Sequence, residues 1–501
     1  MTATERTRLP YAFARRHGVI DLSAEGDNGR LRVAMRQNAD PHVLLEVRRV
    51  LGAPIEVEHV SPDRFDRQLQ ERYATAGLGI EEAEEYGASG GLSDLLDHMP
   101  EVADLLETRD DAPIIRLING VIAEAARLGA SDVHIEPFDT NLLVRIRVDG
   151  ELNEAARLNA RLGPLVVSRI KVMARLDIAE RRVPQDGRIS LALGGRTIDV
   201  RVSTLPSMAG ERVVLRLLDR ERAGMTLDDL GMPPAVETAF RAALREPNGI
   251  ILITGPTGSG KTTTLYAGLR LLNETSRSIL TIEDPVEYAI PGVGQTQVNA
   301  KVGMTFAAGL RAILRQNPNI IMVGEIRDAE TAQIAVQSSL TGHLVLSTVH
   351  TNDSLGAVTR LRDMGLEPFL LASTLRVIVA QRLVRKLCPH CRAEETADAA
   401  IASLTGVEPG SPVFRAVGCP ACAGTGYLGR VGLYELVRVD ETLRRLISSN
   451  ADEIEMAQAA FGQTQNKTLS QTAREYIRSG VTTVEEAIRV IRQEASPDAD
   501  L

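Results

Sequence analysis

The sequence predicts an α/β protein of several domains, the largest built on a parallel sheet with crossover helices, and three observations predict it. From Gly231 onward, apolar strand, Gly-rich turn and helix repeat, the pattern of parallel strands joined by crossovers. The buried-strand signal Ile250-Ile251-Leu252-Ile253 runs into Gly255-Pro256-Thr257-Gly258-Ser259-Gly260-Lys261-Thr262, after which Thr263-Thr264-Leu265-Tyr266-Ala267-Gly268-Leu269 begins a helix. Upstream, residues 101–228 read instead as one helix followed by alternating strands, a separate α+β domain.

Bulk properties bound the rest. A chain of 501 residues is too long for one compact core, so several domains are expected. An aromatic content of 3% with no Trp leaves little surface for stacking bases, and a formal net charge of −9 opposes general affinity for nucleic-acid phosphates; no nucleic-acid partner is expected. No run approaches the roughly 20 apolar residues that cross a bilayer. The opening Met1-Thr2-Ala3-Thr4-Glu5-Arg6 lacks the apolar core of a signal peptide, so a cytoplasmic location is expected.

Residues 1–76, charged but with apolar runs such as Val43-Leu44-Leu45-Glu46-Val47, suit a small mixed leading domain. Residues 77–100 contain Glu81-Glu82-Ala83-Glu84-Glu85 and Gly87-Ala88-Ser89-Gly90-Gly91, have little to bury, and read as a linker. After Pro113, Ile114, Ile115, Leu117, Ile118, Val121, Ile122, Ala125 and Leu128 recur at helical spacing, with Gly129 as the stop. Strands follow at Val133-His134-Ile135-Glu136 and at Leu142–Val148, the latter ending on Asp149-Gly150, a hairpin signal. Further strands are expected at Thr197–Ser203 and Val213–Leu218. These strands carry arginines on one face, which a solvated sheet surface would explain. Residues 229–501 make the large α/β domain, closing in helices and a polar tail at Ser496–Leu501.

The segment Gly255–Thr262 is a complete phosphate loop in its proper strand and helix context. Its glycines let backbone N–H groups turn inward around α- and β-phosphates, and the helix N-terminus adds partial positive charge. Lys261 then reaches the β/γ oxygens and Thr262 ligates Mg²⁺, so ATP or GTP is the expected ligand. A second strand, Asn319-Ile320-Ile321-Met322-Val323-Gly324-Glu325-Ile326-Arg327-Asp328, reaches its first carboxylate at Glu325. Gly324 stands where many P-loop enzymes carry a metal-side Asp, so Glu325 either works through Mg²⁺ or polarises the attacking water. Between the two motifs, the segment Ile279–Tyr288 is again an apolar strand ending in carboxylates; Glu283 and Glu287 either replace the missing acid or solvate a loop. His343 and His350 bracket the strand Leu344–Val349. Although a lone histidine is more often structural, this pair fits a hydrogen-bonding sensor of the γ-phosphate.

Four motifs in this order, the phosphate loop, IEDPVEY, GEIRD and TGHLVLSTVHTND, resemble the secretion ATPase superfamily. SDVHIEP (131–137), DVRVS (199–203) and GERVVLRLL (210–218) carry the resemblance into the upstream domain. It implies a RecA-like motor domain, a PAS-like α+β domain, and a homohexameric ring in which the α+β domain lends arginines to bound ATP. Arg201 and Arg216 match those positions, Arg147 more weakly, and Arg311 and Arg315 in GLRAILRQNPN are further candidates for completing the site across a subunit boundary. Hydrolysis would then depend on ring closure.

Cys388-Pro389-His390-Cys391 and Cys419-Pro420-Ala421-Cys422 form two CxxC knuckles, expected within a zinc subdomain at 385–430. Four thiolates surround Zn²⁺ tetrahedrally with no open position, which makes the metal structural; a redox CxxC needs no second copy. In the superfamily such an insertion marks assembly-type ATPases rather than retraction ATPases. The segment Leu9-Pro10-Tyr11-Ala12-Phe13-Ala14-Arg15-Arg16-His17-Gly18-Val19 resembles the opening of the type II secretion members. That resemblance implies ATP hydrolysis driving pseudopilus assembly and export of folded proteins across the outer membrane. It also implies docking of the leading domain on a GspL-type inner-membrane protein, a GspF-type platform protein as second partner, and a peripheral place on the cytoplasmic face of the inner membrane. A type IV pilus assembly ATPase shares the chemistry. A DNA-uptake or conjugation ATPase and a non-hydrolysing scaffold are the remaining alternatives.

Overall fold

The computed structural model describes residues 9, 13–14, 17–22, 31–62, 64–65, 68, 112–193, 196–218, 224–462 and 466–492. The expected linker at 77–100 and the tail at 496–501 lie outside the described residues, as do Pro10, Tyr11, Ala12, Arg15 and Arg16 of the N-terminal segment. The chain divides into two compact units, residues 1–220 and 221–501.

The first unit opens with β1 (Val19–Asp21), β2 (Leu31–Arg36), α1 (Val43–Leu51) and β3 (Ile55–Val60), in sheet order β1-β2-β3. β2 is buried on both faces. Val33 and Met35 pack with Val47 of α1, while Ala34 packs with Ile20, Val60, Phe65 and, from the following domain, Val172. That domain comprises α2 (Ala112–Arg127), β4 (Asp132–Pro137), β5 (Asn141–Val148), β6 (Glu151–Asn159), α3 (Gly163–Met173), β7 (Gln185–Leu193), β8 (Arg196–Ser207) and β9 (Gly210–Leu218). Its sheet runs β6-β5-β4-β9-β8-β7, antiparallel throughout. Asp149 and Gly150 take φ of 48° and 91°, the left-handed pair a tight hairpin needs, and they pair β5 with β6. The apolar stripe of α2 and Val166, Val167 and Ile170 of α3 fill the core over one sheet face.

The second unit follows as α4 (Pro234–Leu244), β10 (Gly249–Thr254), α5 (Lys261–Leu272), β11 (Ile279–Glu283), β12 (Gly294–Gln297), α6 (Phe306–Leu314), β13 (Ile320–Val323), α7 (Ala329–Leu340), β14 (Leu344–Val349), α8 (Gly356–Asp363), α9 (Pro368–Thr374) and β15 (Leu375–Leu387). After these come β16 (Ala393–Thr396), α10 (Ala399–Thr405), β17 (Pro412–Arg415), β18 (Tyr427–Arg438), α11 (Glu441–Ser448), α12 (Glu453–Phe461), α13 (Leu469–Arg478) and α14 (Val484–Arg492). The main sheet runs β12-β11-β13-β14-β10-β15-β18, parallel except for β18. Helices cover both faces: α6, α7 and α8 bury one set of strand residues and α4 and α5 the other. Leu227, expected in the preceding domain, is buried in the second of these cores beside Leu230 and Phe240. Register aligns the ends of Thr254, Glu283, Val323 and Val349 along one carboxyl edge, where ligands of open α/β sheets bind.

Candidate functional site

The phosphate loop leaves the buried strand β10 at that edge and enters α5. Gly255 has φ of 145°, and a Cβ there would lie 2.4 Å from the Gln381 carbonyl oxygen, so only glycine lets the loop turn against β15. Lys261 Nζ donates to the carbonyls of Gly255 (2.6 Å) and Pro256 (2.9 Å). Burial depresses its pKa to about 8, Arg382 adds to the depression, and the charge of Glu325 opposes it. Thr262, in the first turn of α5, is exposed.

Glu325 lies just past the end of β13. Its carboxylate pairs with Arg327, and its Oε2 lies 3.1 Å from His350 Nε2. Burial works against its charge, yet the hydrogen bonds from His350 and Arg327 prevail and hold the carboxyl below its usual range. The last residue of GEIRD serves the backbone: Asp328 caps α7 by accepting from Thr331 N–H at 2.8 Å. A Cβ on Gly324 would sit 3.3 Å from both Ile282 O and Glu283 Cα, so the strand carries glycine where β11 passes close.

The two histidines part company. β10 and β14 are parallel, with Gly249 opposite Leu344 and Thr254 opposite Val349, so His343 lies at the edge away from the phosphate loop. Its Nδ1 sits 2.8 Å from Ser338 O, at the end of α7. Six strand residues, about 20 Å, separate it from His350.

Glu283 is 2% exposed and accepts from Tyr266, Thr281 and Gln295, while burial raises its pKa. It stitches α5 to β11 and β12. The Glu287 N–H donates to the same Tyr266 hydroxyl at 3.3 Å. Arg311 and Arg315 lie exposed at the end of α6; Arg311 pairs with Glu330 at 2.6 Å and Arg315 donates to the Arg311 carbonyl.

In the first unit, cross-strand register sets Arg147, Asp132, Arg216, Arg201 and Arg188 in one row across β5, β4, β9, β8 and β7. Asp132 accepts from Arg216 Nε at 2.9 Å and lies 3.7 Å from Arg147 Nε. Burial opposes the charge of Asp132, but the bonds from Arg216 and Ser131 lower its pKa. Four arginines against one aspartate in the row leave it strongly positive.

Sequence reasoning missed Tyr266, Gln381 and Arg382. Gln381 accepts from Thr264 Oγ1 at 2.8 Å, and the buried Arg382 guanidinium donates to the Asn352 carbonyl at 2.5 Å, beneath the loop start at Gly255. The signal was present: two polar residues in succession within the stretch 377–384 of β15, whose other residues are apolar.

The cysteines converge. All four Sγ atoms lie within 4.8 Å of one another, with separations of 3.9 Å (Cys388 to Cys419), 3.8 Å (Cys391 to Cys422) and 3.7 Å (Cys419 to Cys422). Thiolates about 2.3 Å from a tetrahedral zinc lie about 3.8 Å apart, so the cluster is compatible with that ion. Backbone N–H groups of Gly418, Cys419 and Gly426 point at Sγ of Cys391 or Cys422 and stabilise thiolate charge.

Among known families, the one described as "Type II/IV secretion system protein" matches residues 107–489, and a domain family of "GSPII protein E" matches residues 8–73. "Type II secretion system protein E" of Pseudomonas aeruginosa is 52% identical over 97% of each chain. "Type II secretion system ATPase E" of Vibrio cholerae is 49% identical, again over 97% of each. Among solved structures, the pilus retraction motor PilT with bound ADP aligns over 75% of this chain and 96% of its own, with a TM-score of 0.53 and 28% identity. The Legionella pneumophila ATPase DotB aligns over 75% of this chain and 95% of its own, with a TM-score of 0.56; at 23% identity it supports the fold alone.

Proposed function

Because the chain belongs to the type II/IV secretion system protein family, we propose that it is the ATPase motor of a type II secretion system, hydrolysing ATP to drive pseudopilus assembly and export of folded proteins. The observation that carries the chemistry is Glu325: an ionised carboxylate beside His350 at the sheet's carboxyl edge, close enough for its charge to act on Lys261.

Lys261 exchanges its loop carbonyls for β- and γ-phosphate oxygens, with backbone N–H groups of the loop and the α5 N-terminus around them. Thr262 would hold Mg²⁺, which would further neutralise phosphate charge. Glu325 orients the attacking water. A carboxylate held below its usual range accepts a proton poorly until the phosphoryl group has largely left, which suits a loose transition state. His350, 3.1 Å from Glu325, fixes that carboxylate and registers loss of the γ-phosphate.

The chain works as a homohexamer in which Arg201 and Arg216, backed by the positive row around Asp132, stabilise the transferring charge. Cys388, Cys391, Cys419 and Cys422 hold a structural zinc. The leading domain docks on a GspL-type protein and the ring acts on a GspF-type platform, at the cytoplasmic face of the inner membrane.

Turnover measured with duplex DNA, and separately with anionic vesicles bearing the cytoplasmic part of a GspL-type protein, tests this reading. Stimulation by the second alone is expected. Stimulation by DNA alone would establish a nucleic-acid motor instead.

A further inference from the structure

We propose that Glu435 is a positioning residue for hydrolysis: from β18 it clamps the loop carrying His350 to the N-terminus of α13. Glu435 is 4% exposed. Its Oε1 accepts from Ser354 N–H at 3.0 Å and also from the Ser354 hydroxyl, and its Oε2 accepts from Leu469 N–H at 3.1 Å. Burial raises its pKa while these donors oppose the rise. A carboxylate this deep is costly to keep and costly to strand, so three donors from two distant segments converge on it.

Both segments matter. Residues 350–354 are pinned along their length: His350 at Glu325 (3.1 Å), Thr351 N–H at Thr254 Oγ1 (3.0 Å), the Asn352 carbonyl at Arg382 (2.5 Å), and Ser354 at Glu435. At the other side, Leu469 is the first residue of α13, after the N-cap Thr468, and it packs with Ala473, Ile477 and Val413 of the cysteine-bearing subdomain. Glu435 is thus the polar joint between the loop that holds Glu325 and the C-terminal bundle. An isosteric amide cannot serve both sides, because its NH₂ would face either Ser354 or Leu469, donor against donor.

The inference rests on the ATPase reading, and wild-type turnover separates the two, since an inactive wild type sinks that reading while hydrogen exchange still reports the clamp. In the full chain, Glu435→Gln is expected to lower kcat about tenfold with KM for ATP and nucleotide-binding stoichiometry unchanged, and to speed amide exchange at residues 350–356 but not in the phosphate loop. The double variant with Ser354→Ala should be no slower than Glu435→Gln alone, because both act through one joint. Should Glu435→Gln fail to fold, Ser354→Ala alone should lower kcat about threefold with KM unchanged. Unaltered kcat, strictly multiplicative losses in the double variant, or a kcat loss matched by lost binding stoichiometry would overturn the proposal.

Discussion

Restoring the usual metal-side aspartate, Gly324→Asp, should damage this protein rather than improve it. The added Cβ would lie 3.3 Å from Ile282 O and Glu283 Cα and 3.6 Å from Phe306 Cε1. The first two atoms belong to the backbone of β11, which is paired on both sides by β12 and β13 and cannot easily give. Overpacking of this kind costs about 1–3 kcal/mol, and Gly324→Ala isolates that cost. Asp adds a carboxylate in a half-buried place, for about 1–3 kcal/mol more where it finds no donor. In a domain of this size each kcal/mol lowers Tm by about 2–4 °C, so Ala should lower it by roughly 2–12 °C and Asp by more. Calorimetry on both variants, with turnover measured alongside, checks this. If Gly324→Asp were neutral in stability and raised turnover, the site would have room for the usual acid, and the view of Glu325 as the working carboxylate would be wrong.

Other expectations follow from the same geometry. Cys419→Ser should abolish a one-to-one zinc content seen by metal analysis and lower the thermal transition while leaving ATP affinity within about threefold, since a closed four-thiolate site stabilises without touching substrate; a wild type that binds no zinc would refute this. For Lys261, a folded pKa lowered to about 8 means the native state binds fewer protons than the unfolded chain between about pH 8 and the ordinary lysine value, so stability should rise with pH across that window. Nucleotide binding selects the protonated amine, so ATP affinity should fall above about pH 8, and an affinity flat to about pH 10 would contradict it. Arg201→Ala and Arg216→Ala should each lower turnover at least tenfold with nucleotide affinity little changed, as expected of groups that act on transition-state charge; equal losses in affinity and turnover would assign them to ground-state binding.

Local signals made much of the site legible. The phosphate loop, the CxxC pairs and the hairpin at Asp149-Gly150 are each written in contiguous residues, and the stripe of α2 follows from spacing alone. What stayed hidden depends on pairing between distant segments. β6, with Asn153, Ala155 and Ala156, lacks strand propensity and exists because the hairpin lays it against β5. His343 and His350 look equivalent in sequence, and only the parallel register of β10 and β14 sends them to opposite edges. Glu283 resembles a free acid at a strand end until Tyr266, seventeen residues upstream, closes over it. Arg188 joins the arginine row solely through the pairing of β7 with β8. Arg382 and Glu435 sit in the largely apolar middle stretches of their strands, 377–384 and 431–437, where a charge reads as an exception and its partners cannot be inferred locally.

The most direct test of the central claim is steady-state ATP hydrolysis by the wild type and Glu325→Gln, with nucleotide binding measured on the same preparations. The geometry around Glu325 predicts turnover reduced at least about 100-fold, the scale of a lost water-orienting or general-base group, with ATP still bound at near wild-type affinity. Equal turnover in the two proteins, or loss of ATP binding in the variant, would contradict it.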